Sequence, residues 1–153
     1  KNINAEQADS LAGRAEGSLL EVLELVKSTE QSRNKELFMQ LMRVCFKKSV
    51  LDMMDWGEEL SGLSKEAQKQ FLKYGLHMLS QSMLNNFTGE QLLKVSEEEY
   101  EFLKKFSRFI TGNNILDFMK MFDEAHYHIE RNANQRILFT QICFQVMRFI
   151  HAA

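Results

Sequence analysis

Gln135-Arg136-Ile137-Leu138-Phe139-Thr140-Gln141-Ile142-Cys143-Phe144-Gln145-Val146-Met147-Arg148-Phe149-Ile150-His151 is the most continuously apolar segment of the chain and points to an all-α fold. Its apolar side chains recur at steps of three and four, the spacing of a helix rather than a strand. They cover most of the circumference and leave a narrow polar stripe of Gln141, Gln145 and Arg148. A helix apolar nearly all round must be buried on most sides. It is either the central element of a helical bundle or lies partly against another subunit, because large apolar patches on a free surface usually mark interfaces.

Upstream, the polar run Asn132 to Asn134 separates this last helix from a sixth, which starts at Asn113 or Asn114. That helix carries Ile115, Phe118, Met119, Phe122, His126 and Ile129 in register. Ser96 with Glu99 is a capping-box pattern, and it opens a fifth helix through Phe102, Leu103, Phe106, Phe109 and Ile110 that stops at Gly112. Ser64 caps a fourth, with Leu72, Leu76, Leu79, Met83 and Phe87 at helical steps, and residues 88 to 94 form a short connection. Gly75 lies inside this fourth helix. An interior glycine costs about 1 kcal/mol against alanine, so a close helix packing is expected there. A third helix is predicted from about Asn34 to Leu60, through Phe38, Met42, Cys45, Ser49 and Met53, with Phe46, Val50 and Trp56 beside them, closed by Ser61 and Gly62.

Before it, Asn4 can cap a first helix with a weakly apolar face of Ala8, Leu11, Ala12 and Ala15, ended by Gly17. Ser18 then opens a short second helix with Leu19, Leu20, Val22, Leu23 and Val26. The polar run Ser28 to Asn34 reads as a linker and a domain boundary. The chain is thus expected to be all-α, with residues 1–30 separate from a helical bundle over 31–153.

The composition agrees. No proline occurs in 153 residues, where roughly seven are usual, and its absence favours long unbroken helices. Hydrophobic residues make up 44%, enough to fill a core. The net charge of -2 has no pole of either sign, which argues against a nucleic-acid surface as the main business. Cys45 and Cys143 form no CxxC and no secreted framework, so a reducing, cytoplasmic compartment is expected. No apolar run reaches the roughly 18 residues of a membrane span, and no signal peptide is visible. The start at Lys1, inside a helical pattern, leads us to expect a fragment of a longer protein.

Phosphate-binding glycine loops, a nucleophile elbow and zinc spacing are all missing from the sequence. Asp123, His126, His128 and Glu130 are the best metal candidates, yet no second helix supplies the matching pair that a di-iron bundle uses, and His126 sits in the apolar register. Cys45 and His77 can be imagined as nucleophile and base, but read more simply as core-lining residues. The nine methionines could form an adaptable peptide groove or plain core. Lys47-Lys48 and Lys104-Lys105 are basic pairs that read as solvated faces. The acidic run Glu97 to Glu99 suits a helix N-terminus. No catalytic, cofactor-binding or metal-binding residue is assigned.

Two sets of words carry a family resemblance. Ala5-Glu6-Gln7-Ala8 to Leu11-Ala12, then Ala15-Glu16-Gly17-Ser18-Leu19, resemble the end of an AAA+ lid domain of the clamp-loader type. The second set is the more specific. It runs Glu98-Glu99-Tyr100-Glu101-Phe102-Leu103-Lys104-Lys105-Phe106 to Phe109-Ile110, then Asn113-Asn114-Ile115, Ala125-His126-Tyr127-His128-Ile129-Glu130-Arg131-Asn132-Ala133-Asn134 and Ile137-Leu138-Phe139. It resembles the C-terminal collar of the delta-prime family of bacterial DNA polymerase III clamp-loader subunits, and the likeness covers essentially the whole chain.

The resemblance implies residues 1–30 as the end of a lid and 31–153 as a collar that holds a five-membered ring together. In ATP-binding members the Gly-Ser word is followed by a sensor-2 arginine and an aspartate. Leu20 and Glu21 stand there instead, and a leucine offers a phosphate neither donor nor charge. The implied role is therefore subunit assembly in DNA replication, without ATP hydrolysis, catalysis or a cofactor. The implied partners are the gamma/tau and delta subunits, with the sliding clamp and DNA reached through the whole complex, and neither membrane nor small-molecule substrate. On the last helix, Phe139, Phe144, Met147 and Phe149 are the expected interface residues. Competing readings are a gamma/tau fragment, a free-standing helical adaptor with a Met-lined groove, and a metal-dependent helical-bundle enzyme.

Overall fold

Lys48 divides what periodicity predicts as one helix. In the computed structural model its φ is 57°, the left-handed region. The Ser49 N–H donates to the Val44 carbonyl at 3.2 Å and the Lys48 N–H to the Cys45 carbonyl at 3.3 Å, so the helix end is closed by a Schellman-type turn. No glycine or proline announces this break, which is why apolar spacing ran straight through it. Around it the chain forms α1 (Ala5–Lys47), α2 (Val50–Ser61), α3 (Lys65–Thr88), α4 (Glu97–Phe106), α5 (Ile115–Glu130) and α6 (Gln135–Ala152). A 3₁₀ turn, Ser107–Phe109, follows α4. The structure describes residues 5–88 and 94–152, without the side chains of 5–16, 87 and 88, and no strand occurs among them. The predicted cap Asn4, the face of Ala8, Leu11, Ala12 and Ala15, and most of the connection at 88–94 lie outside the described residues.

The chain divides into two compact units, Lys1–Arg33 and Asn34–Ala153. In the first, the predicted helix end at Gly17 and the predicted linker from Ser28 are both helical. A single interior glycine costs about 1 kcal/mol, too little to stop a helix flanked by good helix formers. In the linker, the Thr29 hydroxyl donates to the Leu25 carbonyl at 2.9 Å, inside the helical turn, so polarity there needs no loop. Residues 17–32 are exposed throughout.

The second unit is a bundle centred on Trp56. This side chain is fully buried, edge-on to Phe71 at 5.6 Å and to Phe139 at 6.0 Å. Its indole N–H donates to the Leu37 carbonyl at 2.9 Å, which satisfies the one polar atom that burial would otherwise penalise. Trp56 thereby ties α1, α2, α3 and α6 together. α2 packs along α6 and α3 along α5, and each contact is made close by a glycine. A Cβ on Gly75 would lie 2.9 Å from the Phe122 ring, so the packing expected at this position is present. On Gly57 a Cβ would run into the Thr140 hydroxyl and come within 3.1 Å of its backbone nitrogen.

Helix ends are set locally. The Ala67 N–H donates to the Ser64 hydroxyl at 3.1 Å, and the Ile137 N–H to the Asn134 side-chain oxygen at 3.0 Å. The capping box of α4 is complete: the Glu99 N–H donates to Ser96 Oγ at 3.2 Å and the Ser96 N–H to the Glu99 carboxylate at 2.8 Å. Tyr74 of α3 also donates its hydroxyl to Glu99. Burial pushes the Glu99 carboxyl up, but the bonds from the Ser96 backbone, the Tyr74 hydroxyl and the Ser96 side chain outweigh it and hold the group below the usual carboxylate range. α4 is thus pinned at its start, with Leu103 and Phe106 buried behind it.

Candidate functional site

The end of α1 and the α4–3₁₀ segment lie side by side and leave a groove of about 460 Å³. Lys35 Nζ holds Glu98, a lining residue, at 2.7 Å. The bonded Glu98 carboxylate raises Lys35 above the ordinary lysine range. Behind the lining residue Phe46, the His151 ring nitrogen Nε2 lies 3.2 Å from the Cys45 carbonyl oxygen and 3.1 Å from that of Phe46, in the last turn of α1. The Cys45 carbonyl also accepts from the Lys48 N–H, and for the Phe46 carbonyl at the helix end His151 supplies a partner.

Met39 and Met42 form the base of the groove and are nearly buried. Phe46, Phe102, Phe106 and Phe109 form its walls. The rings pack on one another: Phe46 meets Phe109 edge-on at 5.3 Å, and Phe102 stacks on Phe106 at 5.4 Å. Phe46 is nevertheless 46% exposed, an aromatic edge standing in solvent at the mouth.

The rim is basic. Arg43, Lys47, Lys105 and Arg108 line it, against Glu98 and Glu101. Both carboxylates are already paired, Glu98 with Lys35 and Glu101 with Lys104 at 2.8 Å. Among the described residues, Arg43, Lys47 and Lys105 make no ion pair, and Arg108 lies over the Phe109 ring at 4.8 Å. The groove therefore presents an apolar floor and a net positive rim.

The residues singled out from the sequence are dispersed. Phe139 is fully buried against Trp56, inside the bundle. Phe149 packs edge-on against Phe118 at 4.9 Å, and Met147 is partly buried against the core. Phe144 is 36% exposed and is the one of the four that offers a sizeable surface. Leu20 and Glu21 are exposed on α1.

Cys45 and His77 are held by different partners. The Cys45 thiol donates to the Cys143 carbonyl at 3.2 Å in the core, whereas His77 is an exposed residue whose Nε2 lies 3.1 Å from the Lys94 carbonyl oxygen. Its bond with the Cys143 side chain, and then burial, push the Cys45 thiol well above its ordinary value, so it stays protonated and unreactive. The two cysteines, distant in sequence, are both free thiols of one core. Of the metal candidates, Glu130 is paired with Lys69, whose ammonium holds its carboxyl below the usual range. No group of three or more His, Cys, Asp or Glu suited to a metal ion occurs among the described residues, and no helix there is long and apolar enough to cross a membrane.

The methionines are scattered too. Met53 and Met78 are fully buried, Met54 and Met119 exposed, and Met39 and Met42 alone line the groove. The basic pairs divide: Lys47 and Lys105 stand on the rim, while Lys104 pairs with Glu101 and lies 5.0 Å over the Tyr100 ring. The groove as a unit was missed by sequence reasoning. Its signal was present as two short words, Arg43 to Lys47 with Phe46 between, and Lys105 to Arg108 with Phe106 and Phe109, but nothing local says that they face each other. The chain matches no family model, no curated protein and no solved structure.

Proposed function

We propose that the chain is an assembly element of the bacterial clamp loader, of the delta-prime type. In this reading residues 1–30 are the end of an AAA+ lid, and the bundle after them is a collar that binds gamma/tau and delta neighbours. The observation that carries the reading is a helix face. Leu19, Val22, Leu23 and Val26 stand at i, i+3, i+4 and i+7 of α1 and are 59%, 55%, 55% and 49% exposed. This is the stripe by which an amphipathic helix buries itself against other helices, and water is a poor long-term neighbour for four aliphatic side chains. A helical assembly covers it.

Leu20 stands where an ATP-binding member carries arginine, and it is 57% exposed. It can contribute packing to a neighbour but no phosphate contact, which fits assembly without ATP chemistry. On the bundle, Val50, Leu51 and Met54 of α2 and Phe144 of α6 are exposed as well, which leaves apolar surface for a second contact.

The test is to mix the chain with the gamma/tau and delta collar domains of the same organism and to measure mass by light scattering after size exclusion. A stable hetero-oligomer is expected, weakened by Phe144→Asp while the circular dichroism of the variant is unchanged. Failure to associate, repeated with the full-length protein, overturns the reading.

A further inference from the structure

The groove between the end of α1 and α4 is a different surface from the aliphatic face of residues 19–26, and its chemistry is the same whether or not the chain belongs to a collar. We propose that it seats an acidic amphipathic helix of a partner protein. Apolar side chains spaced i and i+3 or i+4 on that helix pack on Phe46, Phe102 and Phe109, over the nearly buried Met39 and Met42, and flanking Asp or Glu side chains reach Arg43, Lys47, Lys105 and Arg108.

Three features point to this occupant. The first is charge. The carboxylates of the lining are neutralised by Lys35 and Lys104, while Arg43, Lys47 and Lys105 have no anionic partner among the described residues. Cations grouped around an apolar centre select an anionic partner and reject a cationic one. The second is the floor. Methionine re-packs around unlike side chains at little cost, and grooves that take helices use it for that reason. The third is the state of the aromatic rings, which separates a helix from single-stranded nucleic acid. Bases need open ring faces to stack upon. Here Phe102 is stacked on Phe106, the Phe109 face lies under Arg108, and Phe46 is held between Phe109 and His151. The exposed part of Phe46 remains beside them, a surface for aliphatic and aromatic side chains.

The experiment is a selection. A phage library of helical peptides with randomised faces is panned against the whole protein. Winners are then measured by fluorescence anisotropy on wild type, on the double variant Arg43→Glu/Lys105→Glu and on Phe46→Ala. All three changed residues are exposed, so the variants keep the fold, which circular dichroism verifies.

The expected winners carry Asp or Glu beside apolar residues at i and i+3 or i+4. They bind at least tenfold more weakly to both variants, and they lose affinity as salt rises. Winners that are basic or uncharged overturn the proposal, as does acidic binding that ignores both variants or a selection that yields no groove-dependent peptide. A labelled oligothymidine that binds wild type, is lost in the double variant and is not displaced by the peptides overturns it in favour of single-stranded nucleic acid.

Discussion

α6 and the groove at the end of α1 use apolar residues in opposite ways. α6 is apolar almost all round and reads as the surface most in need of a partner. Yet Leu138, Phe139, Ile142, Cys143, Val146 and Ile150 are buried within its own bundle. The groove draws on shorter and more polar words, and it keeps Phe46 in solvent beneath unpaired cations. Apolar density along one helix thus measures how many sides of it are covered. It does not say whether the cover comes from the same chain. An open site is marked instead by an apolar residue that stays exposed next to charge that stays unpaired.

The largest effect that tests this contrast is expected at Phe139. Its truncation to alanine removes a ring at 0% exposure beside Trp56 and should cost about 3–5 kcal/mol in urea unfolding. Phe46→Ala, at the groove mouth, should cost about 1 kcal/mol or less and leave circular dichroism unchanged. Comparable losses at both positions would mean that the groove wall is core and not a docking surface. Next in size is Gly57→Ala, where the new Cβ meets the Thr140 hydroxyl and backbone nitrogen. Backbone yields less readily than a side chain, so α2 and α6 must part, at about 1–3 kcal/mol. A neutral result there would show α6 to be more loosely held than its burial implies.

Much of the bundle was legible in the sequence because its signals are local. The capping box at Ser96 and Glu99, the Ser64 cap, the stop at Ser61 and Gly62 and the close approach at Gly75 each follow from a few neighbouring residues. What was not legible depends on three dimensions. Lys48 breaks a helix because its turn closes on Val44 and Cys45, although neither its residue type nor its neighbours mark a stop. An interior glycine hints at a close approach, but neither partner, Phe122 for Gly75 nor Thr140 for Gly57, can be read from the local sequence. The groove needs α4 beside the end of α1, and that placement comes from long-range contacts such as Lys35 with Glu98 and Phe38 with Phe102 at 6.2 Å. Asn114 shows the same limit. It reads as a plain helix cap, yet its side chain accepts from the Thr111 N–H at 2.8 Å and donates to the Phe109 carbonyl at 2.8 Å and the Phe149 carbonyl at 3.3 Å, so it ties α6 to the loop before α5.

α4 carries its own pH dependence through Glu99. Its carboxyl is held below the usual range in the folded chain, so its contribution is present above the unfolded value of about 4.3 and is lost as pH falls through the folded value. Glu99→Gln keeps the shape of the side chain and removes the charge. It should cost about 1 kcal/mol at pH 7, discounted for partial exposure, and the gap to wild type should narrow as pH falls below about 4. Unfolding curves at pH 7 and pH 3.5 measure this. No gap at pH 7 would mean that Glu99 acts by shape alone, and α4 would then be pinned by Leu103 and Phe106 rather than by its charged cap.

The smallest effect expected has the opposite sign. Lys48 holds φ at 57°, where a side chain meets the following carbonyl at a cost of about 1 kcal/mol and glycine does not. The Lys48 and Ser49 N–H groups make the closing bonds through backbone that glycine also possesses. Lys48 is exposed and is not among the residues that line the groove. Lys48→Gly should therefore stabilise the chain by up to about 1 kcal/mol, offset in part by the wider freedom of glycine in the unfolded state, while peptide binding at the groove is unchanged. A gain in stability with unaltered binding separates the turn that ends α1 from the rim that begins one residue earlier at Lys47. Loss of binding would instead make the left-handed turn part of the site, because the Phe46 and Lys47 side chains would then owe their direction to it.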